Sequence, residues 1–247
     1  MSRKRRNQQR QNTNHDNIAE RNHFELRHIK PLTVNQQRVW DAYNDGSNLM
    51  IHGVAGTGKT FLSMYLALKE VLIDEAYKRI VIIRSVVPSR DMGFLPGTEK
   101  QKAEVYEQPY QEIADDLFGR GDGWKILKMK RLVEFTTTSF LRGTTFNDSI
   151  IIVDEFQDMA WAELNTICSR VGNNSRIVFC GDIRQCDLKF EKEKKGHRLF
   201  LDLVKTMPSI ESIYFTDEDI VRSGFCKEWI INCNRYEEDN NMSFLNL

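Results

Sequence analysis

Residues 49–60 read Leu49-Met50-Ile51-His52-Gly53-Val54-Ala55-Gly56-Thr57-Gly58-Lys59-Thr60. An apolar strand comes first, and a glycine-rich turn then leads into a helix that opens with Lys59 and Thr60. The stretch fits the pattern G-x-x-x-x-G-K-[ST], in which N–H groups of the turn and the helix N-terminus surround phosphate oxygens. It therefore predicts a phosphate-binding loop for a nucleoside triphosphate.

The residue types of the loop also assign individual roles. Lys59 is expected to reach the β- and γ-phosphates, and the Thr60 hydroxyl is expected to coordinate Mg²⁺. The predicted nucleotide contacts of the loop are made by eight consecutive residues: Gly53, Val54, Ala55, Gly56, Thr57, Gly58, Lys59 and Thr60. A plain glycine-rich turn before a helix is the alternative, but the strand before it and the amphipathic helix after it (about 59–75) favour the nucleotide site.

Further apolar runs predict strands at 79–84, 132–137, 149–155, 175–182 and 209–215, with a polar helix near 99–118 and a last helix over 217–233. Continuous aliphatic runs are typical of parallel strands that are covered on both faces. Because the strands alternate with helices, the sequence predicts an α/β fold with a mostly parallel central sheet and helices on both faces.

Two of these strands end in carboxylates. Ligands of open parallel sheets bind beyond the carboxyl ends of the strands, so these residues are expected to meet the phosphate loop. Asp154 is predicted to hold Mg²⁺ together with Thr60, as a carboxylate of the outer coordination sphere, and Glu155 is predicted to orient and polarise the attacking water. After the next strand, Gln185 is expected to contact the γ-phosphate, and Asp182 is the next candidate base. A solvated strand end and a capping turn are the structural alternatives.

Length and charge restrict the class of protein. The 247 residues suit one α/β domain over 23–247, and no apolar run approaches the ~20 residues of a membrane span. A soluble, cytoplasmic protein is therefore expected. The five cysteines lack C-x-x-C spacing, which favours free thiols over disulfides or zinc.

Residues 1–22 carry six basic and two acidic side chains and few large apolar ones. We therefore expect a disordered basic arm that binds phosphate backbones or serves only solubility.

Several stretches resemble known ATPases. Asp154-Glu155-Phe156-Gln157 resembles the D-E-x-Q box of superfamily 1 helicases, and Gly181-Asp182-Ile183-Arg184-Gln185 resembles their G-D-x-x-Q motif. Residues 92–97, Met-Gly-Phe-Leu-Pro-Gly, are similar to a stretch distinctive of the PhoH family of phosphate-loop ATPases, which occurs in phages and bacteria. Residues 140–144 and 219–223 also fit that family. The resemblance covers roughly 31–233, with departures at Thr144, where the family has arginine, and at Asp158, where asparagine is usual.

The resemblance implies a RecA-like (ASCE-type) P-loop NTPase that hydrolyses ATP with Mg²⁺ and handles RNA or single-stranded DNA, with helicase-like work. It places Gln36 where helicases read adenine. The chain has room for one lobe only, so an arginine finger is expected from a neighbouring subunit of a homo-oligomer, most simply a ring. Arg142 and Arg222 are the candidates for that finger or for a sensor within the same subunit. A surface salt bridge is the alternative for each arginine.

Other functions remain open at this stage. A GTPase would carry the base-reading sequence N-K-x-D, which the chain lacks. A kinase is less favoured, because a glutamate directly after the magnesium aspartate suits water as the acceptor. The main alternative is a non-catalytic nucleic-acid-binding switch that uses ATP only to set its assembly.

Overall fold

A computed structural model describes residues 24–85, 99–141, 143–185 and 191–240. Its helices are α1 (Val34–Asn44), α2 (Lys59–Leu72), α3 (Glu99–Phe118), α4 (Gly123–Met129), α5 (Trp161–Cys168), α6 (Glu191–Lys205) and α7 (Gly224–Asn240). Its strands are β1 (Asn48–Gly53), β2 (Arg79–Arg84), β3 (Val133–Thr137), β4 (Ser149–Asp154), β5 (Arg176–Gly181) and β6 (Ile210–Phe215). Each predicted strand is confirmed to within one residue at either end. The predicted basic arm lies outside the described residues.

The strands form one sheet in the order β3-β2-β4-β5-β1-β6, and every pair of neighbours is parallel. β5 therefore lies between β1, which leads into the phosphate loop, and β4, which ends at Asp154. The register aligns Arg84 of β2 with Asp154 and Asp154 with Cys180 of β5. The carboxyl ends of the four central strands thus lie at one edge of the sheet, as expected for a RecA-like P-loop fold.

Two apolar cores, one on each face of the sheet, account for its continuous hydrophobic strands. Ile150 and Ile152 of β4 belong to the core that includes residues of α1, α2, α3 and α4. Ile151 and Val153 point to the opposite core, which includes residues of α5 and α6. All four side chains are fully buried, and burial of an aliphatic side chain contributes about 1.5–3 kcal/mol. Helices on both faces are thereby confirmed.

Helix ends depart most from the sequence prediction. The last helix begins at Gly224, not at 217, and it continues to Asn240. Residues 217–219 instead form a short 3-10 turn, because the Asp219 carboxylate accepts the Thr216 N–H at 2.8 Å and closes the turn. Helices α5 and α6 were not predicted individually from the sequence, and neither was α4. Helix α4 is only seven residues long, and it is held by burial of Trp124 and Leu127.

Two further sequence predictions can be compared with the described residues. The sequence offers Thr33 or Asn35 as the cap of a helix that starts near residue 33, and Thr33 caps α1, since its hydroxyl accepts the Gln36 N–H at 3.2 Å. Cys168, Cys180, Cys226 and Cys233 are free thiols, whereas Cys186 lies outside the described part of the chain. Across the described ranges, none of the helices combines the length and the hydropathy that a bilayer crossing requires.

Candidate nucleotide site

The phosphate loop is fixed to the end of β6. Gly53 has a φ of +123°, and a Cβ at this position would lie 2.1 Å from the Phe215 carbonyl oxygen. The next N–H, that of Val54, donates to the same oxygen at 3.1 Å. Only glycine combines this close approach with this backbone conformation, so Gly53 is required for the path of the loop.

The lysine of the loop is folded over it. Lys59 Nζ donates to the carbonyl oxygens of Gly53 and Val54, each at 2.8 Å. Burial lowers the pKa of Lys59, while the negative charges of Asp182, Glu155 and Asp154 act in the opposite direction. The ammonium group therefore lies within the curl of the loop, among the carboxylates that the strand ends provide.

Gln36 lies against the outside of the loop. Its Nε2 donates to the Thr57 carbonyl oxygen at 3.0 Å, and its Oε1 accepts the Leu32 N–H at 2.8 Å. The side chain is 6% exposed. The amide thus joins the loop, at Thr57, to the segment that precedes α1, at Leu32, and adenine recognition by Gln36 stays a prediction.

Asp154 and Thr60 are brought together as predicted. The Thr60 hydroxyl donates to Asp154 Oδ1 at 2.9 Å, and Asp154 is only 4% exposed. Burial raises the pKa of Asp154, and the adjacent negative charge of Glu155 raises it further, although hydrogen bonds from Tyr110 and Thr60 oppose the shift. The pair provides the hard oxygen donors that Mg²⁺ prefers.

The donor set also fits the way in which proteins hold Mg²⁺. This ion is usually bound by one or two protein oxygens together with substrate phosphates and waters, and not by a complete protein cage. Within the described residues there is no cluster of three or more His, Cys, Asp or Glu side chains that could hold a metal by itself. Thr60 and Asp154 would hold Mg²⁺ beside the phosphates, where the ion would neutralise oxygen charge.

Glu155 has an unusual backbone conformation, and its side chain bonds to Gln157. Glu155 has φ +51° and ψ +44°, in the left-handed region, and such residues cluster at functional sites. Gln157 Nε2 donates to Glu155 Oε2 at 2.7 Å, and Gln157 Oε1 accepts the Asp182 N–H at 3.1 Å. A Cβ at Gly181 would lie 2.2 Å from that Oε1, so glycine is needed here. Gln157 thus links the ends of β4 and β5.

Asp182 is paired with an arginine, Arg184. Asp182 is buried, and its Oδ1 accepts both the backbone N–H of Arg184 at 3.1 Å and the Arg184 Nε at 3.3 Å. Glu155 makes no such pair with a basic group in the hydrogen bonds of the described residues, which favours it over Asp182 as the base. The backbone of Gln185 ends the short turn Ile183–Gln185, and its side chain lies outside the described part of the structure.

Of the two candidate arginines, Arg222 can be located. Arg222 Cγ is 2.8 Å from the position of a Cβ on Gly56, and the N–H of Val221 donates to the Gly56 carbonyl oxygen at 3.1 Å. Arg222 therefore contacts the phosphate loop of its own chain. Arg142 and the stretch 92–97 lie outside the described residues.

Sequence reasoning missed two residues next to Asp154. Arg84 lies opposite Asp154 in the register of β2 and β4. Burial alone would lower the pKa of Arg84. The neighbouring groups Tyr110, Asp154 and Glu155 outweigh burial, so its pKa is raised overall. Tyr110 of α3 donates its hydroxyl to Asp154 Oδ2 at 2.7 Å. Arg84 ends its predicted strand, and Pro109-Tyr110 forms part of the resemblance to the PhoH family, but neither residue was predicted to lie at the site.

Residues 28–234 match the family described as PhoH-like protein. The chain belongs to this family. It is 32% identical over 213 residues to a PhoH-like protein of Mycobacterium tuberculosis (strain H37Rv), a match that covers 85% of this chain and 59% of that protein. It is 29% identical over 212 residues to Protein PhoH of Escherichia coli (strain K12), with 85% and 56% covered. The PhoH-like chain thus spans somewhat more than half of these curated relatives.

Among solved structures, the large terminase of a thermophilic bacteriophage is similar to this PhoH-like chain with a TM-score of 0.49 and 13% identity, covering 84% of this chain and 50% of the terminase. A Bacteroides Pif1 bound to single-stranded DNA gives a TM-score of 0.40 and 14% identity, covering 87% and 48%. The phosphate-loop sequence and the all-parallel sheet give this PhoH-like chain a RecA-like P-loop fold.

Proposed function

We propose that this PhoH-like protein hydrolyses ATP with Mg²⁺. The observation that carries the proposal is the bond of 2.9 Å between Thr60, at the start of α2, and Asp154, at the end of β4, where the next residue, Glu155, is bonded to Gln157. In this proposal Thr60 and Asp154 form a magnesium site next to the phosphate loop, and Glu155 is the carboxylate base.

Each residue has a distinct part in the proposed reaction. The N–H groups of the loop and Lys59 bind the β- and γ-phosphates. Glu155 accepts a hydrogen bond from the attacking water, whose oxygen forms a bond to the γ-phosphorus while the bond to the bridging oxygen of ADP breaks. The proton of the water passes to Glu155 and then to the released phosphate.

An arginine would stabilise the negative charge that develops on the γ-phosphoryl group in the transition state. Removing an arginine finger lowers rates by about 10³–10⁵ in related reactions. The contact of Arg222 with Gly56 supports action within its own subunit, and Arg142 then becomes the candidate from a neighbouring subunit of a ring. Specific activity that rises with protein concentration, alongside the oligomer mass, would support the ring. A flat dependence with a monomer mass would contradict it.

We further propose RNA or single-stranded DNA as the partner. The six basic side chains of residues 1–22 supply charge for a phosphate backbone. Phe140, 56% exposed directly after β3, offers a ring on which a base could stack at the nucleotide edge of the sheet.

The test is phosphate release from ATP, measured with and without Mg²⁺, single-stranded RNA and single-stranded DNA. Magnesium-dependent release that the nucleic acid stimulates would support the full proposal. Tight ATP binding without release would instead support the non-catalytic switch, in which ATP sets assembly only.

A further inference from the structure

The side chain of Tyr110, on α3, bonds directly to Asp154, the carboxylate predicted to serve Mg²⁺. Its hydroxyl donates to Asp154 Oδ2 at 2.7 Å, although the two residues are 44 positions apart. The side chain of Tyr110 is fully buried. A buried hydroxyl on a buried carboxylate is a strong, charge-assisted bond, so α3 and the end of β4 are fixed to each other at this point.

The two oxygens of the Asp154 carboxylate accept hydrogen bonds from different donors. Oδ2 receives Tyr110, and Oδ1 receives the Thr60 hydroxyl at 2.9 Å. With a donor on each oxygen, the plane of the carboxylate cannot rotate without breaking one bond. Oδ1 is therefore kept on the side of Thr60, where the phosphates enter.

Tyr110 is itself held in place. Its ring packs on that of Phe135 of β3, with centroids 5.5 Å apart and an interplanar angle of 35°. One turn earlier on α3, the ring of Tyr106 lies 5.7 Å from the guanidinium carbon of Arg84, the residue aligned with Asp154 in the sheet. The hydroxyl of Tyr110 thus has little freedom to leave Asp154.

We propose that Tyr110 is a positioning residue for Mg²⁺: its hydroxyl holds Asp154 Oδ2 so that Oδ1 stays turned toward Thr60 and the metal. The inference rests on the proposed function, since it assigns a role within the same Mg²⁺·ATP site. Partners that orient a metal-binding carboxylate typically change metal affinity by about 10–100-fold when they are removed. Binding of the phosphates by the loop alone does not involve Tyr110.

The test compares Tyr110→Phe with a matched control, Tyr43→Phe. Tyr43 is also buried, and its hydroxyl donates to a carboxylate, Glu70 Oε2, at 2.8 Å. Both variants lose one tyrosine–carboxylate bond from a buried tyrosine, but only Tyr110 contacts the site. Binding of a fluorescent ATP analogue is titrated with Mg²⁺ and repeated in EDTA. The rise in melting temperature on adding ATP, with and without Mg²⁺, is a second readout.

Tyr110→Phe is expected to raise the half-saturating Mg²⁺ concentration about 10–100-fold and to leave the affinity in EDTA unchanged. Tyr43→Phe is expected to leave both quantities unchanged while lowering the melting temperature of the free protein. An unaltered Mg²⁺ requirement in Tyr110→Phe, or an equal shift in both variants, would overturn the inference alone. Absence of Mg²⁺-dependent binding in the wild-type protein would overturn the proposed function and the inference with it.

Discussion

Asp154→Asn should stabilise the protein while removing its response to Mg²⁺. Asp154 is 4% exposed, and burial together with the charge of Glu155 raises its pKa above the ordinary value. A group whose pKa is raised on folding holds its proton more tightly in the folded state. Ionisation at neutral pH therefore lowers the free energy of unfolding, and asparagine removes this cost.

The hydrogen bonds can be kept in the variant. The asparagine carbonyl can accept the Tyr110 hydroxyl, and its NH₂ can donate to the Thr60 hydroxyl oxygen, which has free acceptor capacity. The expected gain is about 0.5–2 kcal/mol, the range common for stabilising changes at sites where function opposes stability. For a chain of this size each kcal/mol corresponds to roughly 2–4 °C in melting temperature.

The assay is thermal unfolding in EDTA over a pH series, followed by the same series with Mg²⁺·ATP. The gain of Asp154→Asn should be present at about pH 7.5 and should shrink as the pH falls through the raised pKa toward the unfolded value of about 3.9. Asp148→Asn is the contrasting control, because hydrogen bonds from Lys78 and Asn174 lower the pKa of Asp148. This control should lose stability, and the loss should fade as the pH falls. A destabilised or unchanged Asp154→Asn at neutral pH would refute the reasoning.

Three further outcomes are expected. Lys59→Ala should abolish tight ATP binding in a fluorescence titration, because backbone amides cannot replace the ammonium charge on the phosphates; affinity close to that of the wild type would contradict the loop assignment. Glu155→Gln should bind ATP normally but release phosphate at least about 10²-fold more slowly, and wild-type turnover would move the base role to Asp182. Deleting residues 1–22 should weaken nucleic-acid binding and flatten its salt dependence, because the rest of the chain carries the compensating net negative charge; equal affinity at two salt concentrations would leave the arm a solubility role.

Local patterns were sufficient to predict the sheet and the phosphate loop. The aliphatic run of β4 is needed because the strand is buried on both faces, and the glycines of the loop are needed because its backbone is curled. Both requirements can be recognised within a few consecutive residues. The meeting of Thr60 with Asp154 then followed from one topological rule, that parallel strands end at one edge of the sheet.

Contacts that depend on side-chain direction could not be predicted in this way. Gln157 belongs to a recognised box, but its bonds to Glu155 and Asp182 depend on the left-handed backbone of Glu155. For Arg222 the sequence does not predict that the stem of its side chain lies beside Gly56 of the same chain. Neither direction can be read from residue spacing.

The sheet and the surrounding residues therefore contribute differently to the site. Strand register sets the positions of the reactive groups, as in the alignment of Arg84, Asp154 and Cys180 across β2, β4 and β5. Orientation comes from residues outside the strands: Tyr110 fixes one oxygen of Asp154, and Gln157 fixes Glu155. Substitutions at these two orienting residues should therefore spare the fold and the affinity of the loop for phosphates. They should act instead on the Mg²⁺ requirement for Tyr110 and on turnover for Gln157, because each holds a different carboxylate.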